Sequence, residues 1–190
     1  MKENLSYFDE MEQKDAKVIN AFNDDQKWFT NLQYNKKGSR IDATAFDKKG
    51  RKVHIEIKQR TGERYGDFKN FIEHFDTIFL DTGKMDTFSK IMASGYSLSE
   101  KELFVSIFND GDIIIIHDMN KHQLLDYLPC QRLWNPGTKQ WNVSHRVGFF
   151  WYNGIVYEKD KDTGHYRRWT NEEIESLVEK QHKYLPKYNQ

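Results

Sequence analysis

Ser39-Arg40-Ile41-Asp42-Ala43-Thr44-Ala45-Phe46 and Arg51-Lys52-Val53-His54-Ile55-Glu56-Ile57-Lys58-Gln59-Arg60 are the stretches whose reading decides the fold. Each alternates apolar and polar with period two, the pattern of a half-buried strand. Val53, Ile55 and Ile57 point one way, and His54, Glu56 and Lys58 the other. In the first stretch Ile41, Ala43 and Ala45 make the apolar side, leaving Arg40, Asp42 and Thr44 on the polar one. Lys48-Lys49-Gly50 between them is turn-like, so the two strands are expected to form an antiparallel hairpin.

Register follows from the same pattern, because a slip of one residue flips a whole face. The register that keeps apolar opposite apolar sets Asp42 across from Glu56, Thr44 across from His54 and Arg40 across from Lys58. Facing side chains there are roughly 5 Å apart. Two carboxylates at that distance repel by about 3 kcal/mol at an effective dielectric near 20. Such a pair is either screened by water or holds a cation, and Lys58 lies on the same face as Glu56.

Asp42, thirteen intervening residues and then Glu56-Ile57-Lys58, with a helix upstream, resembles the PD-(D/E)xK nuclease superfamily. Other acid-x-Lys triplets occur at Glu12-Gln13-Lys14, Asp15-Ala16-Lys17 and Asp67-Phe68-Lys69. They read as helix or turn, where i and i+2 do not share a face. Residue 41 is Ile, not the Pro of the motif's name. The resemblance spans roughly residues 8 to 117. It implies a metal-dependent phosphodiesterase, with DNA the expected substrate and RNA the alternative. Asp42, Glu56 and Lys58 would be its catalytic residues. Mg²⁺ or Mn²⁺ would be held by Asp42, Glu56 and the Ile57 carbonyl, and Glu12 or Asp15 on the preceding helix would supply an outer ligand. Arg40, Lys49, Arg51, Arg60 and Arg64 are the cations placed to meet nucleic-acid phosphates, in a locally basic segment from Lys48 to Lys69.

The remaining sequence frames that core. Met11, Val18, Ile19 and Phe22 recur at helical spacing over Phe8–Phe22. A strand over Lys27–Tyr34 follows. Beyond the hairpin come a loop at Arg60–Gly66, a short helix at Phe68–Phe75, a short strand at Thr77–Leu80 and a helix starting near Asp81-Thr82-Gly83. Glu102–Phe108 and Asp112–His117 flank the turn Asn109-Asp110-Gly111, and Ile113–Ile116 reads as buried on both faces. The expected fold is α/β with a mixed sheet: a restriction-endonuclease-like αβββαβ core over residues 1–120. A C-terminal extension over 121–190 is expected to pack on it. That extension reads as a short helix over Lys121–Leu128, an irregular segment with Trp134, Pro136, Gly137 and Trp141, and an antiparallel meander. The meander would comprise Val147–Tyr152, Ile155–Glu158 and Tyr166–Trp169, with a capping box at Thr170-Asn171-Glu172-Glu173 before a final helix.

At 190 residues the chain suits one domain, or one core with an appendage. Its 15% aromatic content compensates for a hydrophobic content of 37% in building that core. The single Cys130 excludes an internal disulfide, and no Cys/His spacing suits zinc. Gly-rich phosphate loops and serine or cysteine nucleophile motifs are absent. Without an apolar run near twenty residues or a signal-peptide pattern, a cytoplasmic chain with no membrane contact is expected. Zero formal net charge carries no global signature of nucleic-acid binding. Phe149, Phe150, Trp151, Tyr152, Tyr157, Tyr166 and Trp169, with Arg146, Arg167 and Arg168, read either as packing or as a base-stacking surface. A homo-oligomer has no readable signal. The reading from another class is an inactive nuclease-fold protein serving as a nucleic-acid-binding or assembly subunit.

Overall fold

A computed structural model describes residues 7–36, 39–62, 65–81, 83–84, 86–87, 100–119, 127–135 and 140–184. The first helix, α1 (Tyr7–Gln26), runs past the Asn23-Asp24-Asp25 stop expected from sequence. Asn23 instead ties the helix to the next strand: its side-chain amide donates to Phe29 O at 3.1 Å, and its Oδ1 accepts from Phe29 N at 2.7 Å. Lys27, in the left-handed region at φ 53°, returns its N–H to Asn23 O and closes the helix. The chain thus enters β1 (Phe29–Tyr34) antiparallel to β2 (Ala43–Asp47), with a register shift where Asn31 adopts φ 51°.

β2 pairs antiparallel with β3 (Lys52–Gln59), Ala43 opposite Ile55 and Thr44 opposite His54, in the frame expected. Asp47 organises the turn by accepting from the N–H groups of Lys49 and Arg51, both at 2.9 Å. A crossover carries the chain through α2 (Phe68–His74) and β4 (Thr77–Asp81) to β5 (Glu100–Phe108). β5 lies parallel to β3 and turns antiparallel into β6 (Ile113–Asp118). Positive φ at Asn109, Asp110 and Gly111 makes that turn, as the Asn-Asp-Gly signature requires.

The chain beyond 120 is woven into both sheets. β7 (Tyr127–Asn135) and β8 (Gln140–Phe150) form a hairpin, and β8 pairs with β4 in a second sheet of order β4-β8-β7. β9 (Ile155–Lys159) pairs with β6, and β10 (Tyr166–Arg168) with β9, so the main sheet reads β1-β2-β3-β5-β6-β9-β10. Of the expected terminal meander only the β9–β10 hairpin is formed, because β8 joins the other sheet. Nor is the expected irregular segment irregular at its described residues, since Trp134 and Trp141 are register partners in the hairpin; Pro136 and Gly137 lie outside the described residues. Its sequence disguises it, because Pro129 sits in β7, at the outer edge of the small sheet and beside a register shift, where the missing N–H costs no ladder bond. The helix expected at Lys121–Leu128 lies outside the described residues up to 126, and Tyr127 and Leu128 are strand. β6 explains the new partner of β9: a strand buried on both faces needs neighbours on both edges.

α3 (Asn171–Tyr184) closes the chain, and the capping box expected before it is formed. Glu173 N donates to Thr170 Oγ1 at 3.2 Å, and Thr170 N to Glu173 Oε2 at 2.8 Å. The architecture is a mixed α+β fold with a mostly antiparallel main sheet. On one face α1 packs Ile19 and Phe22 against Ala43, Ala45, Val53, Ile55, Val105 and Ile114. On the other, Phe104, Phe108, Ile113 and Ile115 meet α2, β4, β8 and α3 through Phe71, Leu80, Phe149 and Leu177, with Trp151 from the turn after β8. Glu56 and Lys58, alternating with Val53, Ile55 and Ile57, belong to the second face.

Candidate metal-binding site

The hairpin slips by one residue at Asp42. Ile41 packs in the core with α2, whereas Ala43 and Ala45 pack in the core with α1, so Ile41 does not share the face expected of it. Asp42 N donates to Ile55 O at 3.1 Å, although Ile55 is the register partner of Ala43. Two residues of one strand thus address a single residue of the other, as in a β-bulge. The ladder ends there, and the Asp42 side chain continues it: Oδ2 accepts from Ile57 N at 2.8 Å. This bond fixes the Asp42 carboxylate beside β3, next to Glu56.

Glu56 is 3% exposed. Burial, then the neighbouring Asp42 charge, push its pKa up to about 8, against the opposing pull of Lys84. Lys84 has no signal in the sequence pattern. It belongs to the helical residues after β4, where Thr87 Oγ1 donates to Gly83 O at 3.1 Å. Its Nζ stands 2.8 Å from Glu56 Oε2 and 3.6 Å from Asp42 Oδ1. The shorter contact is an ion pair to a buried carboxylate oxygen. Burial lowers the Lys84 pKa, and the two carboxylates more than reverse that, leaving it raised.

Asp15 and Glu12, alternatives in the sequence, differ in environment. Glu12 is exposed, while Asp15 is half-buried, with Oδ1 lacking a hydrogen-bond partner. Burial and the Asp42 charge raise the Asp15 pKa to about 7, with Lys58 pulling the other way. Asp15, Asp42 and Lys58 are therefore electrostatic neighbours across the gap between α1 and the hairpin. Lys58 is exposed at the end of β3.

The candidate phosphate contacts divide. Arg40 and Lys49 are exposed. Arg51 is engaged with Asp47, Nε at 2.8 Å and Nη2 at 2.7 Å from Oδ2. Arg64 lies outside the described residues. Arg60 is a correction: its guanidinium turns inward, donating through Nη2 to Phe79 O at 3.0 Å and Ser106 Oγ at 3.2 Å above the Phe104 ring. Burial pulls its pKa down, and it serves to tie β3 to β4 and β5. In the C-terminal aromatic group Phe149, Trp151, Tyr157 and Tyr166 are buried, so these rings are packing. Arg167 is held by Glu158 and Glu173, and Arg146 stands 3.6 Å from Asp81. His54, outside the acid pair, meets Glu100 at 3.0 Å.

Among the described residues no three His, Cys, Asp or Glu side chains converge as a ready-made cage. Mg²⁺ does not need one, since it takes one or two carboxylates and keeps several waters. Asp42 and Glu56 fit that requirement: both are oxygen donors, and both reach one cationic group. No helix among the described residues is long and apolar enough to cross a membrane. No family model matches the chain, and no curated protein or solved structure is significantly similar to it.

Proposed function

We propose that the chain is a metal-dependent nuclease of the PD-(D/E)xK type, hydrolysing phosphodiester bonds of nucleic acid, with DNA the favoured assignment and RNA the alternative, on a restriction-endonuclease-like core. The observation that carries this reading is the meeting of Asp42 and Glu56 at a single ammonium group, with the exposed Lys58 two residues beyond Glu56 on the same strand. The strand order β1-β2-β3-β5, with an antiparallel hairpin followed by a parallel crossover, supports it. Asp42 and Glu56 would hold Mg²⁺ or Mn²⁺, with the Ile57 carbonyl as a further oxygen donor and Asp15 contributing through water. A divalent ion so held supplies Lewis acidity toward a phosphate oxygen and toward water. Lys58 binds a non-bridging phosphate oxygen and orients the attacking water, an electrostatic task suited to an exposed ammonium. Arg40 and Lys49, exposed on the hairpin and its approach, meet flanking phosphates. In the test, supercoiled plasmid and single-stranded DNA are incubated with and without Mn²⁺. Cutting is expected only with the ion, and neither Asp42→Ala nor Lys58→Ala should cut. Inactive wild type, or cutting by Lys58→Ala at the wild-type rate, refutes the reading.

A non-catalytic binding or assembly subunit is favoured by one observation, that Lys84 already partly neutralises the acid pair. The two readings part on melting temperature, which Mn²⁺ raises through Asp42 only if the acids hold the ion.

A further inference from the structure

Lys84 reaches the acid pair from outside the hairpin. It follows β4, a strand of the second sheet, and crosses to the end of the β2–β3 ladder in the main sheet, where Asp42 and Glu56 lie. One ammonium faces two acids, so ionisation of both leaves the cluster one positive charge short. Glu56 Oε2 is buried, so the compensation of that oxygen rests on the Lys84 ammonium 2.8 Å away. The Lys84 side chain keeps 29% of its surface in solvent. Lys58 makes no ion pair with either carboxylate among the described residues, so Lys84 is the cation that holds them.

We propose that Lys84 is the site's internal counter-ion, a positioning residue that holds Asp42 and Glu56 together in the ion-free protein and that a divalent cation must displace. The inference rests on the metal-site reading above and adds what sets the affinity. A divalent ion brings the second positive charge that the lysine lacks, and it accepts the carboxylate oxygens in a geometry an ammonium cannot copy. Lys84 therefore raises the ion concentration at which the site fills.

Mn²⁺ titration by calorimetry and by melting temperature, on the full chain, tests this with Lys84→Met and Lys84→Arg, each with Asp42 intact or changed to Asn. Removing a charge-assisted contact of this kind is expected to tighten Mn²⁺ binding by about ten- to a hundredfold in Lys84→Met. The same variant should melt lower than wild type in chelator and gain more from Mn²⁺. Lys84→Arg keeps the charge and should bind no more tightly than wild type. Binding in Lys84→Met that is unchanged or weaker, yet still abolished by Asp42→Asn, overturns the counter-ion role and leaves the metal site standing. So does tighter binding in Lys84→Arg. Absence of Mn²⁺ binding in both wild type and Lys84→Met overturns the inference together with the reading beneath it.

Discussion

Glu56→Gln isolates the cost of keeping an acid inside the sheet. In the folded chain the Glu56 pKa is about 8, whereas an unfolded glutamate titrates near 4.5. A carboxyl whose folded pKa is raised binds its proton more tightly in the native state. It stabilises the fold fully below pH 4.5, and that contribution is lost as pH rises through 8. The gap between those two values, at about 1.36 kcal/mol per pH unit, sets a ceiling of about 5 kcal/mol. Water entry and local relaxation reduce the effective penalty of a buried charge, so a loss of about 2–3 kcal/mol is expected between about pH 5 and 8.5. The Glu56→Gln chain has no titrating group at this position and should lack this component of the slope. Asp15, raised to about 7, acts in the same direction and persists in both proteins, so the difference between the two curves is the quantity to read. Urea unfolding in chelator, followed by tryptophan fluorescence at a series of pH values, provides it. Trp151, fully buried, gives the probe a site that unfolding exposes. Parallel stability curves for wild type and Glu56→Gln over that pH range would refute the burial argument.

Two further changes probe the frame around the site. Arg60→Met should destabilise the chain by about 2–4 kcal/mol in urea, because the Phe79 carbonyl and Ser106 lose their charged donor, while DNA affinity by fluorescence anisotropy stays at the wild-type value. Trp151→Ala should cost about 3–5 kcal/mol and lower the melting temperature by roughly 10–15 °C, since it removes a ring packed against Phe68 and the hydrogen bond to Gln181.

Much of the hairpin could be read from alternation alone, because one face had to be dry: Thr44 does oppose His54, and the acids do come together. The slip at Asp42 could not. Ile41 is apolar and finds a core on either side of the sheet, so the pattern looks the same with or without the bulge. Lys84 left no trace in the pattern, since a lysine on a helical turn ordinarily faces water. Only the pairing of β4 with β8 sets the element that carries it. Arg60 misled for a related reason: at the end of a strand it looks like a surface cation, and its burial depends on the approach of β4. The capping box at Thr170 and the Asn109-Asp110-Gly111 turn were legible because their chemistry is local. β7 was not, because Pro129 and the polar pair Gln131-Arg132 hide an edge strand.

The interleaving of early and late strands has a consequence for how the polypeptide is made. While residues 113–118 are already synthesised, β6 waits with a bare isoleucine edge until residues 155–159 arrive to cover it. β4 waits likewise for residues 146–150. A chain cut near residue 120 would keep both edges open, and open apolar edges recruit other chains. Such a fragment should come out of the ribosome as aggregate, or bound to a chaperone, and not as a small free-standing domain.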